Sequence, residues 1–147
     1  LVEIGRVKAG DRVLVLGASG GVGQLALQLA RSVLGARSVG VCSRRNLALV
    51  QGLGVDVGSD YTAGDALAQA RPHGPFQVVV DCAGGYSAHG CRSLLVSGGR
   101  HVSVAGDSPL RFLQRFVPPF QSRGVLGRPT RARLDAIRAS KQAPTRR

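Results

Sequence analysis

The sequence predicts a doubly wound α/β fold, a parallel sheet of about five strands with helices on both faces. Short apolar runs alternate strictly with segments in which apolar residues recur every three or four positions. Short turns, many of them rich in glycine, separate these elements. Such alternation indicates βαβ units, whose right-handed crossovers produce a parallel sheet covered on both sides.

The first βα unit is the most clearly marked. The run 12–16 holds four consecutive aliphatic residues, which is typical of a strand buried on both faces. A helix is predicted over 22–34, because apolar residues follow a helical period from Val22 to Val33. Gly35 is suited to end that helix.

The same criteria predict the remaining elements in order. Further strands are expected at 38–42, 55–57, 76–81 and 100–105, and further helices at 46–53, 63–71 and 87–96. Beyond Gly106 the pattern weakens, although 110–117 and 131–140 are compatible with helices. We predict no sixth strand, and divide the chain into an α/β domain over 1–108 and a basic, partly helical extension over 109–147.

Length and composition limit the alternatives. The chain has 147 residues, 44% of them hydrophobic, which suits one globular domain. No stretch approaches the roughly 18 apolar residues of a membrane span, and no signal-peptide pattern opens the chain. Because the chain begins at Leu1 without an initiator Met, we expect a piece of a longer protein or a reading frame that starts late.

The net charge of +12 is unevenly distributed. Residues 1–110 carry ten basic groups against seven acidic ones, whereas 111–147 carry ten against Asp135 alone. A basic tail attracts polyanions, but no aromatic residues are interleaved with the charge over 121–147. A nucleic-acid module based on this tail is therefore a minor alternative.

Cysteine and histidine spacing predicts no metal site. The three cysteines form no CxxC pair, and the three histidines share no ligand spacing; they are Cys42, Cys82, Cys91, His73, His89 and His101. A disulfide framework is not indicated, so we expect a reduced, cytoplasmic setting.

The segment from Gly17 to Gly23 carries the most chemical information. It reads GASGGVG, follows the first strand directly and opens the first helix, which is the context of a Rossmann-type dinucleotide-binding turn. A pyrophosphate needs main-chain N–H groups at a helix N-terminus with no Cβ in the way. We expect Gly20, Gly21 and the Val22 amide to hold the pyrophosphate, and Gly23 to allow close helix packing. A structural turn that merely favours glycine is the alternative.

The end of the second strand predicts the type of cofactor. NAD-preferring folds place an acidic residue about 20 residues after the glycines, where it binds the ribose 2′-hydroxyl. Here that position is Ser43, followed by Arg44 and Arg45. Guanidinium groups suit a 2′-phosphate, so we predict NADP(H), with solvated arginines as the alternative.

Other cofactor contacts are expected at the carboxyl ends of later strands. Cys82, Ala83 and Ala105 are small enough to leave room for a nicotinamide ring, and Tyr61 is expected to flank the adenosine. We predict no catalytic residue in this chain, because no activating partner for Cys82 is visible in the sequence.

One other enzyme class is excluded by the sequence, and a second stays a minor alternative. Short-chain dehydrogenases need a Tyr with a Lys four residues later, but Tyr61 is followed at that spacing by Asp65 and Tyr86 by Gly90. A methyltransferase that uses another nucleoside cofactor would favour an acidic residue in place of Ser43.

Residues 10–105 resemble the cofactor-binding domain of the medium-chain dehydrogenase/reductase superfamily, nearest its quinone oxidoreductase-like, NADPH-using branch. The phrases that carry the resemblance, in order, are GDRVLV (10–15), GASGGVG (17–23), CSRRN (42–46), LGVD (53–56), SDYT (59–62), DCAG (81–84) and GGR (98–100).

The resemblance implies hydride transfer from NADPH to a quinone, an enone or another small carbonyl compound. It also implies an N-terminal substrate domain that this sequence lacks, and dimerisation through the sheet edge, which the missing sixth strand leaves open. The alternative is a truncated, non-catalytic fragment that binds the dinucleotide without turning over substrate.

Overall fold

A computed structural model describes residue 1, residues 5–104 and the short strand Arg123–Gly124. The strands are β1 (Arg12–Leu16), β2 (Arg37–Cys42), β3 (Val57–Asp60), β4 (Phe76–Asp81), β5 (Leu95–Ser103) and β6 (Arg123–Gly124). The α-helices are α1 (Gly21–Ser32), α2 (Leu47–Gly52), α3 (Ala66–Ala70) and α4 (Ala88–Arg92), with 3₁₀ turns at Arg44–Asn46, Tyr61–Ala63 and Arg71–His73. None of the helices in this part of the chain is both long and apolar enough to cross a membrane.

The strands form one all-parallel sheet in the order β3-β2-β1-β4-β5-β6, which confirms the predicted fold class. The chain moves from β1 towards one edge through β2 and β3, and then returns to the other side of β1 as β4. The switch in strand order therefore lies between β1 and β4. Ligands of open parallel sheets bind at such a switch, outside the carboxyl ends of the strands.

Alternate side chains of the central strands pack on opposite faces. Val13, Val15, Val78 and Val80 belong to one apolar cluster, which includes Ala26, Leu27 and Ala30 of α1 and Val50 of α2. Leu14, Leu16 and Val79 belong to a second cluster, with Ala66 and Ala70 of α3 and Cys91 of α4. The two-sided burial explains why these strands are continuous apolar runs and do not alternate with polar residues.

Several predicted boundaries are wrong. The third strand was expected at 55–57 but runs over Val57–Asp60, because an edge strand can use polar residues that the apolar pattern does not mark. The helix expected over 87–96 ends at Arg92. The fifth strand, expected at 100–105, runs over Leu95–Ser103, and Leu95 pairs with Phe76. Short apolar runs fit both helix and strand, and here pairing with the neighbouring strand decides between them.

The prediction of no sixth strand is also wrong. Arg123 and Gly124 form β6, parallel to β5, with Val102 opposite Arg123. Two residues are too few to produce a periodic pattern, so only the neighbouring strand reveals them. The helices predicted at 110–117 and 131–140 and the predicted contact Ala105 lie outside the described residues.

Candidate functional site

The turn between β1 and α1 requires glycine at its two ends. Gly17 has a φ of +75°, in the left-handed region that favours glycine, and a Cβ there would lie 3.0 Å from the Ala83 nitrogen. A Cβ on Gly23 would overlap the carbonyl oxygen of Gly17 and would lie 2.8 Å from the Ala18 Cα. The close approach of α1 to the end of β1 therefore depends on Gly23, whereas Gly17 is needed for its backbone conformation and for the close approach of the turn after β4.

The middle of the turn is different, because the fold itself leaves room there. A Cβ on Gly21 would meet no atom within 4 Å, and one on Gly20 would meet only the Gly17 oxygen, at 3.4 Å. The first α-helical hydrogen bond runs from the Gln24 N–H to the Gly20 carbonyl, so the amides of the first turn before it have no acceptor within the helix.

The N–H groups of Gly20, Gly21 and Val22 differ in whether they are available to a ligand. The Gly20 N–H donates to the Gly17 oxygen at 3.1 Å, so Gly20 leaves space but offers no spare donor. Gly21 and Val22 occupy the first two helical positions, where amides point out of the helix end and the helix dipole favours an anion. The arrangement can hold a phosphate group.

Ser19 ties this turn to the end of the second strand. Its hydroxyl accepts a hydrogen bond from the Asn46 side chain at 3.0 Å, and its carbonyl accepts one from the Gln24 side chain at 2.8 Å. Asn46 ends the 3₁₀ turn that begins at Arg44. The glycine turn and the arginine-bearing turn are thereby held in a fixed relation.

A cleft of about 520 Å³ lies at the carboxyl edge of the sheet. It is lined by Gly17, Ser19, Gly20, Cys42, Tyr61, Cys82, Ala83, Gly85 and Tyr86. Tyr61 is 49% exposed, so its ring can cover a ligand without first leaving the core. Tyr86 is half-buried, and burial is the main cause that raises the pKa of its hydroxyl, which keeps that group neutral and a hydrogen-bond donor.

Asp81 fixes the turn after β4, which contributes residues to the lining of this cleft. Its buried carboxylate accepts hydrogen bonds from the N–H groups of Ala83 at 3.0 Å and Gly84 at 2.8 Å, which fixes the turn after β4. Burial, and secondarily the charge of Asp81, raises the pKa of Cys82 to about 11. A thiol that stays protonated at neutral pH is a poor nucleophile, as expected of a small lining residue.

The corner beyond β2 carries the predicted cationic pair. Arg44 and Arg45 are exposed, Ser43 is half-buried, and none of the three lines the cleft itself. The structure also brings Asp60 to this corner, because β3 runs parallel to β2 with Asp60 opposite Cys42. Asp60 follows Arg44 by 16 residues, so a search for an acidic residue directly after β2 does not find it.

The predicted site residues thus fall into two groups. Four of them line the cleft, namely Gly20, Tyr61, Cys82 and Ala83, whereas Gly21, Val22, Gly23, Ser43, Arg44 and Arg45 flank it at α1 and at the corner. Tyr86 also lines the cleft but was not predicted to do so, because only the path of the loop after β4 places it there.

Within the described residues, no group of three or more His, Cys, Asp or Glu side chains is placed to hold a metal ion. His101 is 6% exposed and neither of its ring nitrogens has a hydrogen-bond partner. Burial raises the pKa of Cys91 to about 12, so this thiol also stays protonated at neutral pH.

Comparison with known proteins identifies relatives by sequence. A family model described as zinc-binding dehydrogenase matches residues 21–133. A probable quinone oxidoreductase from Leishmania amazonensis is 38% identical over 108 residues, covering 71% of this chain and 29% of that protein. The mitochondrial NAD(P)H oxidoreductase RTN4IP1 of Drosophila melanogaster is 41% identical over 76 residues, covering 52% of this chain and 18% of that protein.

Solved structures that resemble this chain include two quinone oxidoreductases. The quinone oxidoreductase from Coxiella burnetii superposes with a TM-score of 0.77 at 29% identity, over 93% of this chain and 42% of that one. The quinone oxidoreductase from Thermus thermophilus, solved also in complex with NADPH, gives a TM-score of 0.61 at 30% identity, over 92% and 43%. The chain spans less than half the length of each of these four relatives. Since the family model covers most of the sequence, the chain belongs to the zinc-binding dehydrogenase family and, within the medium-chain dehydrogenase/reductase superfamily, to its quinone oxidoreductase-like branch.

Proposed function

We propose that this chain is the NADPH-binding part of a quinone oxidoreductase-like reductase. The observation that carries the proposal is the asymmetry of the glycine turn. Gly17 and Gly23 are required by packing, whereas a side chain on Gly21 would meet nothing in the protein. Glycine at a position where the fold does not need it supports close approach of a pyrophosphate to the Gly21 and Val22 amides.

The corner after β2 supports NADPH over NADH. Arg44 and Arg45 present two exposed guanidinium groups, and Ser43 adds a hydroxyl. Guanidinium pairs with phosphate oxygens through two parallel hydrogen bonds, an interaction that the 2′-hydroxyl of NADH cannot make. The relative from Thermus thermophilus was solved with NADPH, which is consistent with this preference.

The rest of the cleft suits the remainder of the cofactor. Tyr61 covers the adenosine side, while Cys82 and Ala83, at the end of β4, leave space for the nicotinamide ring. The bound cofactor supplies the hydride that reduces a quinone, an enone or a related carbonyl compound. The residues of this chain bind the cofactor, orient it and exclude water from one side; no catalytic acid or base is assigned to them.

The alternative function is binding of the dinucleotide without turnover of a substrate, which the same cleft and glycine turn would support. Self-association through the sheet edge, a small-molecule substrate as partner and a cytoplasmic location stay predictions in either case.

Two measurements test these functions. Titration with NADPH and with NADH, followed by the fluorescence of the reduced nicotinamide, should give tighter binding of NADPH. Equal affinities, or tighter binding of NADH, would contradict the proposal that Ser43, Arg44 and Arg45 bind a 2′-phosphate.

Absorbance of the reduced nicotinamide in the presence of a simple quinone then separates the reductase from the fragment. Turnover above the rate without protein supports the reductase. NADPH binding without turnover supports the dinucleotide-binding fragment.

A further inference from the structure

A carboxylate lies beside the turn after β2, where Ser43, Arg44 and Arg45 are proposed to bind the 2′-phosphate. Asp60 ends β3 opposite Cys42, the residue that ends β2, so it lies beside the turn that carries Ser43 and Arg44. The next residue, Tyr61, lines the cofactor cleft. Asp60 is therefore at the adenosine end of the site, although it belongs to a different strand from the arginines.

Local hydrogen bonds fix this carboxylate. One oxygen of Asp60 accepts from the Thr62 N–H at 2.9 Å and from the Thr62 hydroxyl at 2.6 Å. The hydrogen bond from the Thr62 hydroxyl is the main cause that lowers the pKa of Asp60. Desolvation opposes it, while the main-chain N–H groups of Thr62 and Arg44 and the charge of Arg44 lower the pKa further. Asp60 is thus ionised at neutral pH and lies within electrostatic reach of Arg44.

The charge of Asp60 affects the two cofactors differently. A 2′-phosphate at this corner would share Arg44 with Asp60 and would be repelled by the carboxylate. A 2′-hydroxyl carries no charge, and carboxylates are the groups with which this fold ordinarily binds it. The corner therefore combines a feature that favours NADPH with one that tolerates NADH.

We propose that Asp60 is a specificity-determining residue that limits the preference of this site for NADPH over NADH. The inference rests on the proposed function, since it concerns the same cleft. It assigns to β3 a contribution to cofactor choice that complements the arginines after β2.

The test is the pair of dissociation constants for NADPH and NADH in the Asp60→Asn variant. Asparagine keeps one oxygen that can accept from Thr62, removes the negative charge and replaces the second carboxylate oxygen by an NH2 group, so the hydrogen bonds with Thr62 should persist. We expect the dissociation constant for NADPH to fall by about three- to fivefold, the upper part of the range expected of one exposed charge, and that for NADH to stay the same or rise. The effect on NADPH should diminish at high salt.

Asp56→Asn is the matched control, because Asp56 precedes the other end of the same strand and its carboxylate binds the Ser38 N–H at 2.6 Å. It removes the same charge at the opposite edge and should leave the ratio of the two constants unchanged. Adding Asp60→Asn to the Arg44→Ala variant should raise the affinity for NADPH by a smaller factor than adding Asp60→Asn to the original chain.

An unchanged ratio in Asp60→Asn, or an equal weakening of both cofactors, would overturn the inference and leave Asp60 with a structural role only. Thermal unfolding of each variant separates loss of fold from loss of binding. If the original chain binds neither dinucleotide, the proposed function itself fails, and this outcome is distinct from an unchanged ratio.

Discussion

The amino ends of the strands and the glycine turn 17–23, at the carboxyl end of β1, differ in how their main-chain polar groups are satisfied. At the amino edge, side chains take them up: Asp56 accepts from the Ser38 N–H at 2.6 Å, and Arg12 donates to the Gly74 carbonyl at 3.0 Å. At the carboxyl edge, the turn 17–23 leaves the first amides of α1 without an acceptor in the helix. Main-chain groups that are hydrogen-bonded by side chains contribute to stability. Main-chain amides that have no acceptor in the helix, beside glycines, are available to a ligand.

The largest expected effect is on stability and comes from Gly23→Ala. Its Cβ would overlap the Gly17 carbonyl oxygen, and because both are main-chain positions neither can move without shifting α1. We expect a loss of about 3 kcal/mol in the free energy of unfolding, measured by urea denaturation. Gly52→Ala is the control, since a Cβ there meets nothing within 4 Å. Equal stability of the two variants would show that the turn is less tightly packed than described.

The next effect, on binding alone, is expected from Gly21→Ala. The new methyl group meets no protein atom within 4 Å and removes a glycine from a helix, so stability should stay the same or rise by about 0.5 kcal/mol. If the Gly21 amide holds the pyrophosphate, the dissociation constant for NADPH should rise at least about tenfold, a change of about 1.4 kcal/mol. Titration by nicotinamide fluorescence measures it, with Gly52→Ala again as control. Unchanged affinity would mean that the cofactor does not approach this edge as proposed.

A smaller effect should appear at the amino edge and concern stability only. Asp56→Ala deprives the Ser38 N–H of its partner, which should cost about 1 kcal/mol in the free energy of unfolding. The dissociation constant for NADPH should not change, because the cleft lies at the other end of the strands. Asp56→Asn keeps an acceptor and should recover most of the stability. A parallel loss of cofactor affinity would contradict the division between the two edges.

The fold was predictable from the sequence because both faces of the central strands are covered. Continuous apolar runs at β1 and β4 mark such strands, and the helical period of α1 marks the first crossover. Where local pattern does not decide the conformation, the predictions were wrong. The polar half of β3 and the start of β5 are strands because a neighbouring strand pairs with them.

The candidate site was predictable to the extent that its residues follow one another in the chain. The glycine turn and the arginines after β2 could be identified by spacing alone, and they lie at the edge where the fold class expects a ligand. Asp60 and Tyr86 reach the same region from other strands. Their positions depend on the register of β3 against β2 and on the path of the loop after β4, which the local sequence pattern does not reveal.

The smallest expected effect concerns His101, whose open nitrogens lie in the interior and away from the cleft lining. Both lack a partner, and burial lowers the pKa of the imidazole, assisted by Arg92 and opposed by the carboxylate of Asp81. The unfolded chain binds a proton near the ordinary value of 6.5, whereas the folded chain resists it. Stability should therefore be complete above about pH 7 and should decrease as the pH falls through 6.5 towards the lowered pKa.

His101→Leu removes both the unpartnered nitrogens and the titration. At pH 7.5 we expect its free energy of unfolding to differ from that of the original chain by less than about 1 kcal/mol. Towards pH 5 the variant should become the more stable of the two, as measured by urea denaturation across this range. His89→Leu, at an exposed histidine, should keep the original pH dependence. If His101→Leu keeps it as well, the imidazole is protonated as readily in the folded chain as in the unfolded one, and burial does not lower its pKa.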